Sequence, residues 1–245
     1  MIGQLPTRQL EDTVGQVRAL LEAQLARHGR LVYANSLGAE AMVLTDIICS
    51  HLPQIDMFSI DTGRLHEETY ELLQQLQRRY RRTIRLVYPD PAALEGLIAR
   101  QGVNGFYQSL EARLQCCHIR KVEPFLRAIG GFPAWITGVR REQSKERAQG
   151  KPVQWDQEHG RYKISPLIEW SEAQVWQYIR SHRLPYNVLH DRHFPSIGCS
   201  PCTRAIQPGE SRRAGRWWWE QSESRECGLQ MRIPRIPESP AALHA

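Results

Sequence analysis

An α/β fold with a parallel, doubly wound sheet is the class this sequence predicts, on three observations. Four short apolar runs, RLVYANS (30–36), QIDMFSID (54–61), TIRLVYP (83–89) and PAWITGV (133–139), read as strands, the first of them buried. Segments with helical apolar spacing alternate with them, an arrangement that packs helices onto both faces of a parallel sheet. The turns SLGAE, DTG and GVRREQS each directly follow a strand. That is the edge at which such sheets bind ligands, beyond the carboxyl ends of their strands.

The elements follow in order. LEDTVGQVRALLEAQLARHG repeats its apolar residues at helical spacing and stops at Gly29. After the first strand, EAMVLTDIICSHL (40–52) is an apolar helix, and after the second, EETYELLQQLQRRY (67–80) is an amphipathic one. Pro89 and Pro91 close the third strand, and a helical region surrounds QCCHIRK (115–121) before the fourth. SEAQVWQYIRSH (171–182) is a helix opened by a capping box, Ser171 with Gln174. From about residue 204 the regular pattern weakens, and RECGLQMRIPRIPESPAALHA has no core face. The organisation expected is an α/β domain over residues 1–203 and a mobile C-terminal segment over 204–245.

The 245 residues, 41% hydrophobic and 24% charged, have the composition of an ordinary globular chain. No apolar run approaches the ~18–20 residues of a membrane helix, so no membrane partner is expected. MIGQLPTRQLED lacks a basic start followed by an apolar core, so the expected location is cytoplasmic, where thiols stay reduced. The net charge of +6 favours an anionic ligand. Arginines gather late in the chain around WWW at 217–219, a combination that raises nucleic acid as a partner. No helix-turn-helix, zinc-finger or RNA-recognition signature accompanies them, so nucleic acid is not the expected partner.

Six cysteines are present, and two of them, Cys116 and Cys117, are adjacent. Neighbouring cysteines bridge each other only with strain, so a shared external ligand explains them better. Cys199 and Cys202 form a C-x-x-C, bringing the set to four thiols. Four thiolates suit either tetrahedral zinc or a [4Fe–4S] cluster, and adjacent ligands fit more naturally around a cube than in a zinc knuckle. A thioredoxin-like redox pair would leave the double cysteine unexplained. Cys49 lies in an apolar helix and reads as packing. Cys227, beside Arg225 in a polar stretch, reads either as an incidental thiol or as a nucleophile favoured by positive charge.

Taken in order, YANSLGAEAMVLTDII, IDTGRLHEETYEL, CCHIRKVEPF, ITGVRREQS, GCSPCT and RECGL closely resemble assimilatory sulfonucleotide reductases. These are thioredoxin-dependent enzymes that act on adenylyl sulfate or its 3′-phosphorylated form. The resemblance implies an adenine-nucleotide-binding domain with a modified pyrophosphate-binding (PP) loop. It also implies the iron–sulfur branch, which prefers adenylyl sulfate, with Cys116, Cys117, Cys199 and Cys202 holding a [4Fe–4S] cluster. RECGLQ aligns with the family's catalytic motif and gives Cys227 the nucleophile's role, although Gln230 stands where the family has histidine. Substrate contacts are expected from Ser36 and Gly38, from Asp61, Thr62 and Gly63, from Lys121, and from Arg140, Arg141, Arg147, Arg213 and Arg216. Partners implied are adenylyl sulfate and reduced thioredoxin or a similar protein, with further copies of the chain in a homo-oligomer as a further expectation. A same-family reductase using the phosphorylated nucleotide is the alternative. An ATP pyrophosphatase is disfavoured because its loop reads SGGxDS rather than SLGAE.

Overall fold

The computed structural model describes residues 7–144 and 147–220. Its strands are β1 (Leu31–Ala34), β2 (Asp56–Ile60), β3 (Arg85–Val87), β4 (Ala134–Ile136), β5 (Val153–Asp156) and β6 (Arg161–Ile164). They form one sheet in the order β3-β2-β1-β4-β6-β5. Every adjacent pair is parallel except β5 with β6, which form an antiparallel hairpin at the edge. The predicted class therefore holds, with each of the four expected strands present at its place.

Alternation along β1 shows how the sheet is covered. Leu31 and Tyr33 enter one core with Leu21, Ile47 and Val175, while Val32 enters the other with Phe58, Phe125 and Trp135. The first face is covered by α1 (Thr7–His28), α2 (Ala39–His51), α3 (Glu67–Tyr80) and α7 (Glu172–Ser181). The second is covered by α6 (Glu123–Ile129). Two layers of helices around a central sheet are what runs buried on both faces require.

Helix starts follow local chemistry. Ser171 Oγ accepts from Gln174 N at 3.2 Å and Gln174 Oε1 accepts from Ser171 N at 2.7 Å, forming the expected capping box. A helix not foreseen in the sequence, α4 (Pro91–Gln101), starts on Asp90, which caps Ala93 N at 2.9 Å, with Pro91 at its first position. The β5–β6 hairpin was also missed. Most of its side chains are only half-buried, so it lacks the apolar run by which the other strands announce themselves.

The described chain beyond residue 203 is packed as far as Glu220. Thr203 bridges Arg216 in antiparallel fashion, Arg204 pairs with Glu210 at 2.7 Å, and Trp217 is 0% exposed. Tryptophan rather than periodicity anchors this stretch. Cys227 and Gln230 lie outside the described residues.

Candidate active site

Chain order reverses between β1 and β4, and a cleft of about 290 Å³ opens there, beyond the carboxyl ends of the strands. The loop after β1 forms one wall. Leu37 takes φ 59, and Asn35 holds the turn by accepting from Leu37 N at 2.9 Å while its own amide donates to Thr45 Oγ1 at 2.9 Å. Ser36 and Gly38 line the cleft, and Gly38 leads directly into the N-terminus of α2. Backbone N–H groups at such a terminus suit an anion or a nucleotide phosphate.

The turn after β2 forms the floor. Gly63, at φ 69, donates its N–H to Asp61 Oδ1 at 2.8 Å, and Tyr70 donates to the same oxygen at 3.0 Å. Burial and the Asp61 carboxylate push the Tyr70 phenol up to about 12, so it remains a donor at neutral pH. Asp61 thus shapes the turn with its own side chain. Thr62 lines the cleft, and its hydroxyl lies 3.2 Å from Cys199 Sγ.

Of the six expected basic contacts, Lys121, Arg147, Arg213 and Arg216 line the cleft. Arg140 and Arg141 do not. Arg140 is buried beneath the cleft, with its Nε 2.9 Å from Glu40 and its Nη1 3.1 Å from Glu142. Arg141 turns outward to the Gly150 carbonyl and Glu169. Replacing Arg140 by Ala leaves Glu40 partly buried without its cation, and is expected to cost about 3 kcal/mol of stability in chemical denaturation. A loss near zero would show that water compensates Glu40.

Cys116 and Cys117 end α5 (Leu110–Cys117), which Ser109 caps by accepting from Ala112 N at 3.1 Å. The next residues, His118–Val122, form a π-helical turn. Lys121 stands four residues past Cys117, which in an α-helix is about one turn. The charges of Arg120 and Lys121, both within this wider i→i+5 turn, bear on the Cys116 thiol. Arg120, which the sequence reading passed over although it lies in the same CCHIRK motif, is buried and donates to the Thr62 carbonyl. It ties the cysteine helix to the cleft floor. His190 was also passed over. It lines the cleft with Nδ1 2.9 Å from the Phe194 carbonyl, and burial lowers its imidazole, keeping the ring neutral.

Cys116, Cys199 and Cys202 share one small core with Phe106 and Trp217, and Cys117, next to Cys116 in the chain, is buried as well. Burial pushes the Cys116 thiol up, and burial with the neighbouring Cys199 pushes Cys202 to about 12. The indole Nε1 atoms of Trp217 and Trp219 are buried there without a hydrogen-bond partner. Soft sulfur donors, orphaned N–H groups and adjacent cations fit an anionic sulfur-bearing cluster. Among the described residues, no three Cys, His, Asp or Glu side chains already converge as a metal cage. The fit is thus one of donor set and surroundings. Likewise among the described residues, no helix is long and apolar enough to cross a membrane.

A phosphate-accepting helix start, a cationic rim and a switch-point cleft define the class as a nucleotide-binding α/β protein. The family described as phosphoadenosine phosphosulfate reductase domain matches residues 30–205, and the chain belongs to this family. A relative from Allochromatium vinosum named adenosine 5′-phosphosulfate reductase is 48% identical, over 98% of this chain and 92% of its own. One of the same name from Burkholderia cepacia is 46% identical over 96% of each chain. Among solved structures, a phosphoadenylyl-sulfate reductase from Candida auris superposes with TM-score 0.66 at 24% identity, covering 83% of this chain and 99% of that one. The Candida glabrata FMN adenylyltransferase bound to FMN and an ATP analogue superposes with TM-score 0.55 at 16% identity, covering 86% of this chain and 72% of that one. At these identities the structures speak for the fold alone.

Proposed function

We propose that this chain is an adenylyl-sulfate reductase of sulfate assimilation, producing sulfite and AMP through an S-sulfocysteine on Cys227. The observation that carries the reading is the cleft itself: Lys121, Arg213 and Arg216 rim a phosphate-accepting loop that abuts the cysteine core. The relatives' names support adenylyl sulfate as the nucleotide.

The Cys227 thiolate attacks the sulfur of adenylyl sulfate, the S–O bond to the phosphate breaks, and AMP departs with the electron pair. Phosphate and sulfate both repel an incoming thiolate, so fixed cations must offset their charge. Lys121, Arg147, Arg213 and Arg216 take that part, and Arg216 is held for it. Its Nη1 lies 3.2 Å from Ser196 Oγ, and its guanidinium stacks 4.5 Å from the Trp217 ring centre. A side chain at Gly198 would collide with the same guanidinium, so glycine there keeps the arginine in place. Ser36–Gly38 and Thr62 hold the nucleotide, while Asp61 and Gly63 keep the floor in shape. A dithiol protein such as thioredoxin then attacks the S-sulfocysteine, releasing sulfite and becoming a disulfide itself. Cys116, Cys117, Cys199 and Cys202 would hold a [4Fe–4S] cluster, which supplies a fixed charge and a cross-link rather than electrons.

The test is thioredoxin-dependent sulfite release from adenylyl sulfate and from its 3′-phosphorylated form, measured in parallel on anaerobically purified protein. Strong preference for adenylyl sulfate is expected. Preference for the phosphorylated nucleotide would keep the family and Cys227 but overturn the substrate, and no sulfite from either would overturn the reading.

A further inference from the structure

We propose that the buried ion pair between Arg113 and Glu220 is an anchor that positions the C-terminal segment, and with it Cys227, relative to the cleft. The inference rests on the reading above for the role of Cys227.

Arg113 lies on α5, just ahead of the double cysteine, and its side chain is 1% exposed against 7% for Glu220. Its Nε and Nη2 donate to the two carboxylate oxygens of Glu220 at 2.7 and 2.9 Å. A two-point guanidinium–carboxylate contact fixes direction as well as distance. The same guanidinium lies 4.6 Å from the Trp217 ring centre, and that of Arg216, which lines the cleft, lies 4.5 Å from it. One indole therefore couples the cysteine helix, a cleft arginine and the root of the C-terminal segment. An apolar contact would join a helix to a loop at lower desolvation cost, whereas a buried charge pair of fixed geometry specifies one arrangement.

Chain reach gives the anchor its consequence. From Glu220 to Cys227 is seven residues, which span at most ~25 Å when fully extended. With Glu220 released, the last packed residue becomes Trp219, whose ring lies 4.5 Å from that of Tyr107, and the tether becomes eight residues long with no carboxylate to set its direction. A shorter, directed tether raises the local concentration of the thiol at the cleft and lowers the entropy of reaching a reactive geometry. Neither Arg113 nor Glu220 needs to touch substrate for this; both are positioning residues.

The experiment compares full-length wild type with Glu220→Gln and Arg113→Lys, each purified anaerobically and matched for iron content. Three quantities are read: single-turnover S-sulfonation of Cys227 at saturating adenylyl sulfate, AMP affinity, and the iodoacetamide alkylation rate of Cys227 followed on its own peptide with AMP bound. In both variants sulfonation is expected to fall at least ~tenfold and alkylation to quicken, while iron content and AMP affinity stay within ~twofold. Sulfonation within ~twofold of wild type would overturn the anchor. So would a fall matched by equal losses of iron or AMP binding, which would make the pair a fold element only. If wild-type Cys227 takes up no sulfonate, the functional reading fails instead. Alkylation then decides the anchor: faster in the variants supports it, unchanged overturns it.

Discussion

Cys227→Ser is expected to abolish sulfite release, by ~10⁴-fold or more, while leaving AMP binding and iron content as in the wild type. A serine hydroxyl is scarcely ionised near neutral pH and is a poor nucleophile toward sulfur, so no partial mechanism survives the change. Mass spectrometry after one turnover supplies the second half of the result: the sulfonate added to the Cys227 peptide of the wild type is missing from the variant. The other thiols are poor substitutes. Burial pushes up Cys49 in α2, and it pushes up Cys116 and Cys202 in the cysteine core. A variant that still releases sulfite at more than a few per cent of the wild-type rate would transfer the nucleophile's role to one of these.

What the sequence made legible follows from how each feature signals itself. β1, β2 and β4 are mostly buried and read as apolar runs, while β3, at the sheet edge with Arg85 exposed, was legible because Pro89 and Pro91 close its run. The turns after β1 and β2 were equally plain, because a cleft at the switch point needs short, shaped loops there. The β5–β6 hairpin was hidden, since an edge strand pairs through its backbone and asks little of its side chains. The arginines divided for a reason that spacing cannot express. Arg140 and Arg141 follow the strand that forms the cleft wall, yet Glu40 and Glu169 claim them, and an ion-pair partner distant in sequence is invisible to a local motif. Arg113 and Glu220 were missed on the same ground, being 107 residues apart. The π-helical turn after the double cysteine has no composition signal at all.

The second large effect is expected at Cys202. With Cys202 holding the proposed cluster, Cys202→Ser should yield colourless protein without iron, with a lowered melting temperature and little or no turnover. Cys202 closes a short turn, Ser200–Cys202, whose backbone reaches in two directions: Ser200 N donates to the Arg64 carbonyl at 2.8 Å, and Trp217 N donates to the Cys202 carbonyl at 3.3 Å. A ligand shared by this turn and the double cysteine closes the long loop between Cys117 and Cys199. If it acts as a disulfide would, it stabilises the fold by about 3–4 kcal/mol, or roughly 2–4 °C of melting temperature for each kcal/mol. Activity should fall further than stability alone requires. Thr62, hydrogen-bonded to Cys199, and Lys121, in the turn that follows the double cysteine, also line the cleft, so slack in the cysteine core moves two substrate-facing groups together. Iron content separates the possible outcomes. A variant that keeps full iron and colour would remove Cys202 from the ligand set, whereas one that loses iron yet turns over normally would leave the cluster with a structural role alone.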